Sequence, residues 1–139
     1  MPPWLYQELT SIIIAAYYAV FHALKHRSVY SEANFTEALR LELQQRGQLV
    51  RTQATSWRTY RGRRIGNNRV DLIVDGKVAI EIKKARLLKD EHAVQLRTYL
   101  DDGQLAVGLL LNFGGDDPEF RRVENHNSPA YRHQPLGGG

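Results

Sequence analysis

The chain has 139 residues, of which 42% are hydrophobic and 24% charged. These are ordinary values for one globular domain, and they exclude collagen-like, low-complexity and bulk-disordered classes. It contains no cysteine, which excludes a disulfide framework, a thiolate zinc site and a cysteine-held iron–sulfur cluster, and fits a reducing, cytoplasmic compartment. The net charge of +4 is unevenly spread. Between 51 and 69 there are arginines at 51, 58, 61, 63, 64 and 69 and no acidic residue. Such a block points to a polyanionic partner, nucleic acid first, or else to a solvated basic hairpin.

The longest apolar run covers residues 9–24. It is shorter than the roughly 20 residues a membrane-spanning helix needs, it contains His22, and Glu8 and Lys25 bracket it. No membrane segment is expected, and the start MPPWLYQE lacks the basic opening of a secretory signal. Leu5, Leu9, Ile12, Ile13, Ala16, Val20 and Leu24 recur at three- and four-residue spacing, which predicts a helix with one buried face. After a polar break at 26–30, Ser31 is the expected N-cap of a second helix reaching about Arg46, with Gly47 as its stop.

From Leu49 the period shortens. Residues 49–55, 56–60, 63–65 and 69–74 read as short strands, punctuated at Arg61-Gly62 and Gly66-Asn67-Asn68. Residues 77–83 form the clearest strand, and 88–100 return to helical spacing before Asp101-Asp102-Gly103. The continuous apolar run 105–113 predicts a strand covered on both faces, and 119–123 an edge strand. Residues 125–139 have no period and are expected to form a polar C-terminal tail to a domain spanning 1–124. The order implies an α/β fold, a mixed β-sheet flanked by helices.

Register locates a candidate site. If 69–74 and 77–83 form a hairpin about Asp75-Gly76, a two-residue loop would mix polar and apolar faces. A three-residue loop with Gly76 left-handed puts Val70, Leu72, Val74, Val78, Ile80 and Ile82 on one face, and Asp71, Glu81 and Lys83 on the other. Two converging carboxylates are unfavourable without a cation or proton between them, and oxygen donors suit Mg²⁺ or Mn²⁺. A solvated charged face is the plain alternative. Glu32 lines up with Leu39 and Leu43 on the second helix, which directs it toward the core unless it only complements the helix dipole.

Glu32 on an early helix, Asp71, Glu81-Ile82-Lys83 and then Gln95 on a following helix together resemble the PD-(D/E)XK nuclease superfamily. More narrowly, the chain resembles its small GxxExxY proteins. The name motif corresponds to Val29-Tyr30-Ser31-Glu32-Ala33-Asn34-Phe35, with Val29 and Phe35 in place of its Gly and Tyr. The stretch 69–74 with 81–83 resembles the family's core hairpin, 91–100 its next helix and 108–114 its closing strand; the likeness covers roughly residues 8–124.

The resemblance implies a restriction-endonuclease-like core and Mg²⁺-dependent (or Mn²⁺-dependent) hydrolysis of phosphodiester bonds in DNA or RNA. On that reading Asp71 and Glu81 hold the metal, the Ile82 carbonyl is a backbone ligand, and Glu32 ligates directly or through water. Lys83 orients or helps deprotonate the attacking water and stabilises the phosphorane-like transition state, and Gln95 holds Lys83 or a phosphate. Arg58, Arg61, Arg63, Arg64, Arg69, Lys84 and Arg86 would track the nucleic-acid backbone. Trp57 and Tyr60 are either cross-strand packing residues or stacking surfaces for bases. The competing expectations are a catalytically silent nuclease-fold binding module and a scaffold subunit; a homodimer or larger complex would supply the specificity so short a chain lacks.

Overall fold

The computed structural model describes residues 4–132. Its elements are α1 (Gln7–Ala23), a 3₁₀ turn (Arg27–Val29), α2 (Glu32–Gln45), β1 (Val50–Tyr60), β2 (Arg63–Val74), β3 (Val78–Lys83), α3 (Asp90–Gly103), β4 (Val107–Asn112), β5 (Glu119–Glu124) and the short α4 (Pro129–Arg132). The five strands form one sheet in the order β1-β2-β3-β4-β5. Every pair is antiparallel except β3–β4, which α3 connects as a crossover. This is the mixed sheet with flanking helices that the sequence predicts. No helix among the described residues is long and apolar enough to cross a membrane.

Local chemistry sets the element ends. The Ser31 hydroxyl accepts the Asn34 N–H at 3.1 Å, and the Asn34 side chain accepts the Ser31 N–H at 2.9 Å. This reciprocal cap, worth on the order of 1 kcal/mol, makes Glu32 the first residue of α2. Gly47 at φ +91° closes the helix, and the Gln48 N–H reaches back to the Leu43 carbonyl at 3.0 Å.

The loop between β2 and β3 has three residues, with Val74 opposite Val78 and Leu72 opposite Ile80, which is the odd-numbered register expected. Gly76 takes φ +66°, and Asp75 also takes a positive φ of 54°. The Asp75 carboxylate accepts the Leu49 N–H at 2.9 Å, which ties this loop to the start of β1.

α1 and α2 cover one face of the sheet around Leu72, Val74, Val78, Ile80, Ile82, Leu109 and Leu111. α3 covers the other around Ala54, Ile73, Ala79 and Leu110. β4, between two strands and under helices on both sides, is buried along its whole length. Val70 departs from expectation: it belongs to the α3 face, beside Ala54, rather than with Leu72. Gln53 and Asp71 face each other without pairing and Gln53 has φ 50°, so the β1–β2 ribbon rotates there.

The four short strands expected between 49 and 74 are two long ones. Gly66, Asn67 and Asn68 pair with Arg58, Trp57 and Ser56, and Ile65 is an extra residue between the pairs Arg58–Gly66 and Thr59–Arg64. That bulge absorbs what the local composition reads as a break. Residues from 125, expected as a loose tail, pack as far as Tyr131. Asn125 and Ser128 are buried, and the Tyr131 hydroxyl donates to Glu124 at 2.6 Å. Residues 133–139 of that segment lie outside the described residues.

Candidate functional site

β2 and β3 pair only from Leu72 to Val74 on the β2 side; beyond Leu72 the two strands part. At the fork, the Asp71 carboxylate takes the Ile82 N–H at 2.7 Å, replacing the carbonyl that a continuing β2 would supply. A strand residue directs its N–H and C=O to the same edge, so the Ile82 carbonyl also faces the gap. The next carbonyl, that of Lys83, faces β4 and accepts the Phe113 N–H at 2.8 Å.

Glu81 projects on the α3 side of the sheet and meets Asp71. Burial pushes its carboxyl up to about 9, the hydrogen bond and negative charge of Asp71 push the same way, Lys83 opposes them, and Glu32 adds a smaller push upward. In the absence of a metal Glu81 therefore retains its proton near neutral pH. Lys83 is half-buried next to the pair, and its charge is felt at Glu81.

Glu32 stands apart from that pair. It is exposed at the first turn of α2, and its Oε2 accepts the Lys84 N–H at 2.8 Å, just past the end of β3. The expected inward projection is thus corrected: the N-cap geometry turns this side chain along the end of the sheet, where a free backbone donor satisfies it. Among the described residues no group of three His, Asp or Glu side chains is close enough to hold one metal ion. Asp71 and Glu81 are brought together; Glu32 reaches the same strand end from the α2 side.

A cleft of about 270 Å³ opens on the other side of Glu81, between the β1–β2 ribbon and α3, lined by Arg58, Asn68, Arg69, Glu81, Gln95 and Tyr99 among others. Gln95 is exposed on α3 and so shares this cleft with Glu81, as its position in the sequence suggests. Arg58 is committed to Asp102 of α3 at 3.1 Å. Arg61, Arg63 and Arg64 belong to the far end of the ribbon. Lys84 and Arg86 line a different cleft of about 340 Å³, with Arg27, Ser28, Gly114 and Asp116. The Lys84 ammonium donates to the Ser28 carbonyl at 2.9 Å. His92 accepts the Lys89 N–H at 3.1 Å and caps α3.

Sequence reasoning missed Asn112. It is fully buried; its Oδ1 accepts the N–H groups of Ala85 and Gly114, each at 3.0 Å, and its amide donates to the Ala85 carbonyl at 2.9 Å. It clamps the chain leaving β3, and so fixes the strand end that presents Lys83 and receives Glu32. Tyr17 of α1 joins this clamp, donating to the Asn112 carbonyl and accepting the Glu119 N–H at 2.9 Å. The available signal was a lone amide inside the apolar run before Phe113.

A family model described as the PD-(D/E)XK nuclease superfamily matches residues 7–123. No curated protein matches the chain. The solved structure titled "Crystal structure of SSO0001" superposes with a TM-score of 0.51 at 21% identity, over 84% of this chain and 65% of that one. This likeness concerns the fold, and the present chain spans less than two thirds of that protein's length. Because the family match runs from the first turn of α1 into β5 and takes in Asp71, Glu81 and Lys83, the chain belongs to the PD-(D/E)XK nuclease superfamily.

Proposed function

We propose that this protein is a metal-dependent phosphodiesterase acting on nucleic acid, with Asp71 and Glu81 as the protein ligands of a Mg²⁺ or Mn²⁺ ion. One observation carries the reading: two carboxylates converge at the fork where β2 leaves β3, beside the open edge that includes the Ile82 carbonyl. The donors are hard oxygens, the set that Mg²⁺ and Mn²⁺ prefer. A divalent ion in place of the Glu81 proton would compensate the charge that burial and the neighbouring Asp71 disfavour there, so the residues present fit such an ion. When bound, the ion supplies an activated water and neutralises charge on the scissile phosphate.

The protein's own groups do the rest. Lys83, half-buried beside the pair, orients that water and stabilises the charge that builds on the phosphoryl oxygens. Gln95, across the cleft from the sheet, holds Lys83 or a substrate phosphate. Glu32 fixes the end of β3 through the Lys84 N–H, and its charge, felt at Glu81, suits a water-mediated role. Arg61, Arg63, Arg64 and Arg69 bind backbone phosphates on the ribbon side, and Lys84 and Arg86 on the other, while Arg58 stays paired with Asp102. A binding module without turnover is the second reading, and the engagement of Glu32 with a backbone donor favours it.

Purified protein incubated with single- and double-stranded DNA and RNA separates the two. Cleavage with Mg²⁺ or Mn²⁺ that EDTA stops, and that Glu81→Ala and Lys83→Ala abolish, supports the enzyme. Cleavage surviving both substitutions comes from something else and overturns it; salt-sensitive, metal-independent binding with no cleavage favours the binding module.

A further inference from the structure

Past the Gln53–Asp71 break, the β1–β2 ribbon carries more than charge. Trp57 is 42% exposed, Tyr60 61% and Ile65 68%, and none of them belongs to either core cluster. The Arg64 guanidinium lies over the Trp57 ring at 4.2 Å, and that of Arg61 lies 5.4 Å from the Tyr60 ring. Among the described residues no ion pair engages Arg61, Arg63, Arg64 or Arg69. Cross-strand packing leaves 42% of Trp57 and 61% of Tyr60 exposed, so large rings are held in water between arginines that no ion pair engages. Folding gains little from that arrangement, whereas a ligand with negative charge and flat apolar surfaces would cover all of it.

Strand alternation separates the two rings. Trp57 shares a face with Thr55 and Thr59, and Tyr60 shares the opposite face with Ser56 and Arg58. The tip between them is the positive-φ pair Arg61 and Gly62.

We infer that this ribbon is a docking surface for single-stranded nucleic acid, whose unpaired bases stack on Trp57 and Tyr60 while its phosphates meet the arginines. The inference rests on the proposed function and narrows its substrate class. A duplex keeps its base faces stacked on one another and presents only edges and phosphates. A ribbon laid in a major groove would cover one of the two rings and leave the other in water. A flexible strand can fold around the tip and use both. From Asn67, the partner of Trp57, it is four residues along β2 to Asp71, a span of about 13 Å. A strand held at Trp57 thus reaches the carboxylate pair by following β2 past Arg69.

The test is a titration in EDTA, where nothing is cut. The chain has two tryptophans, so Trp4→Phe isolates the emission of Trp57. The probes are oligodeoxyuridylate, oligouridylate and a blunt duplex of mixed sequence. Quenching by either single strand that the duplex does not reproduce supports the inference, and the tighter of the two single strands identifies the sugar. In an otherwise unchanged chain, Trp57→Ala is expected to weaken single-strand binding roughly 5- to 30-fold, with duplex binding unchanged and Trp57→Phe retaining most of the affinity. Equal quenching by duplex, equal loss for both ligands or no loss for the single strand overturns it. Since binding is read without metal, these results stand or fall apart from the cleavage assays on Glu81 and Lys83.

Discussion

Replacing Glu81 by Gln should stabilise the metal-free protein at alkaline pH, although it removes a residue proposed to be essential. The Glu81 carboxyl moves from an ordinary 4.5 to about 9 in the fold, through burial first and then Asp71. An acid with a raised native pKa contributes its full stability below its unfolded pKa and loses it as pH rises through the folded one. Between 4.5 and about 9 the unfolded chain has released a proton that the folded chain keeps, so stability falls with pH. Each unit corresponds to about 1.4 kcal/mol, which sets an upper bound near 5 kcal/mol at pH 8. Water entry and approach of Lys83 reduce this, and a difference of about 2 kcal/mol is expected. Gln keeps the size and can donate to Asp71, but takes up no proton. In EDTA, urea unfolding followed by circular dichroism should find Glu81→Gln about 2 kcal/mol more stable than wild type at pH 8 and within about 1 kcal/mol of it at pH 5. Mg²⁺ should stabilise wild type at pH 8 by about 1.4 kcal/mol per tenfold excess over its dissociation constant, and the variant far less. A variant destabilised equally at both pH values, or equal Mg²⁺ stabilisation of both proteins, would refute the reasoning.

The remaining predictions address the ribbon and the strand ends. Arg63→Ala and Arg64→Ala should each lower the slope of log affinity against log salt by about one, a slope unchanged in both placing phosphate contacts elsewhere. Gly114→Ala puts a Cβ 2.5 Å from the Ala85 carbonyl oxygen and 2.6 Å from its nitrogen. Both neighbours are backbone, so thermal unfolding should report a loss of about 1–3 kcal/mol, and cleavage should fall with it because Ala85 continues the strand that carries Lys83. Gln53→Gly should gain up to about 1 kcal/mol at this position of φ 50°, and Gln53→Val should lose about 1–2 kcal/mol, by the same measurement. A gain for Val would mean that the ribbon runs straight.

Legibility followed the range of the interactions. Ser31 as a cap and the three-residue loop at Asp75 depend on neighbours within a few positions, and on a burial pattern that slips by one residue only at the cost of the core. The E-x-K pattern at 81–83 and the acid at 71 followed from that register, so the convergence of Asp71 and Glu81 was accessible from sequence. The misses are contacts that only long-range pairing creates. Gly66, Asn67 and Asn68 are poor strand formers held in place by Ser56, Trp57 and Arg58 across the ribbon. Val70 follows the alternation of its own strand on paper, yet it turns to the α3 face because Gln53 and Asp71 fail to pair. Glu32 obeys its helix but finds its partner 52 residues later, in the Lys84 N–H. Asn112 gives no periodic signal at all, since its role is to satisfy backbone groups of a strand exit far away in sequence.

The carboxylate pair and the β1–β2 ribbon have one structural origin. Had β1, β2 and β3 stayed in register throughout, Asp71 would have pointed from a regular strand, its carboxylate on a sheet face, and Ile82 would have bonded to a β2 carbonyl. The unpaired step at Gln53 and Asp71 changes both at once. It frees the Asp71 side chain to occupy the ladder position at Ile82, which brings its carboxylate to Glu81 at the edge of the sheet. It also releases the rest of β1 and β2 from β3, so that their outer halves continue as a two-stranded ribbon supported by α3 through Arg58 and Asp102. Asp71, one of two carboxylates that favour a divalent ion, and Arg63 and Arg64, which favour a polyanion, therefore lie on one strand, β2, eight residues apart or fewer and with Arg69 between them. Their relative position is fixed by a covalently continuous strand, with no hinge or second domain required. That continuity would hold the proposed phosphate-binding surface in a fixed position relative to the proposed metal site, which is what positioning a scissile phosphate requires.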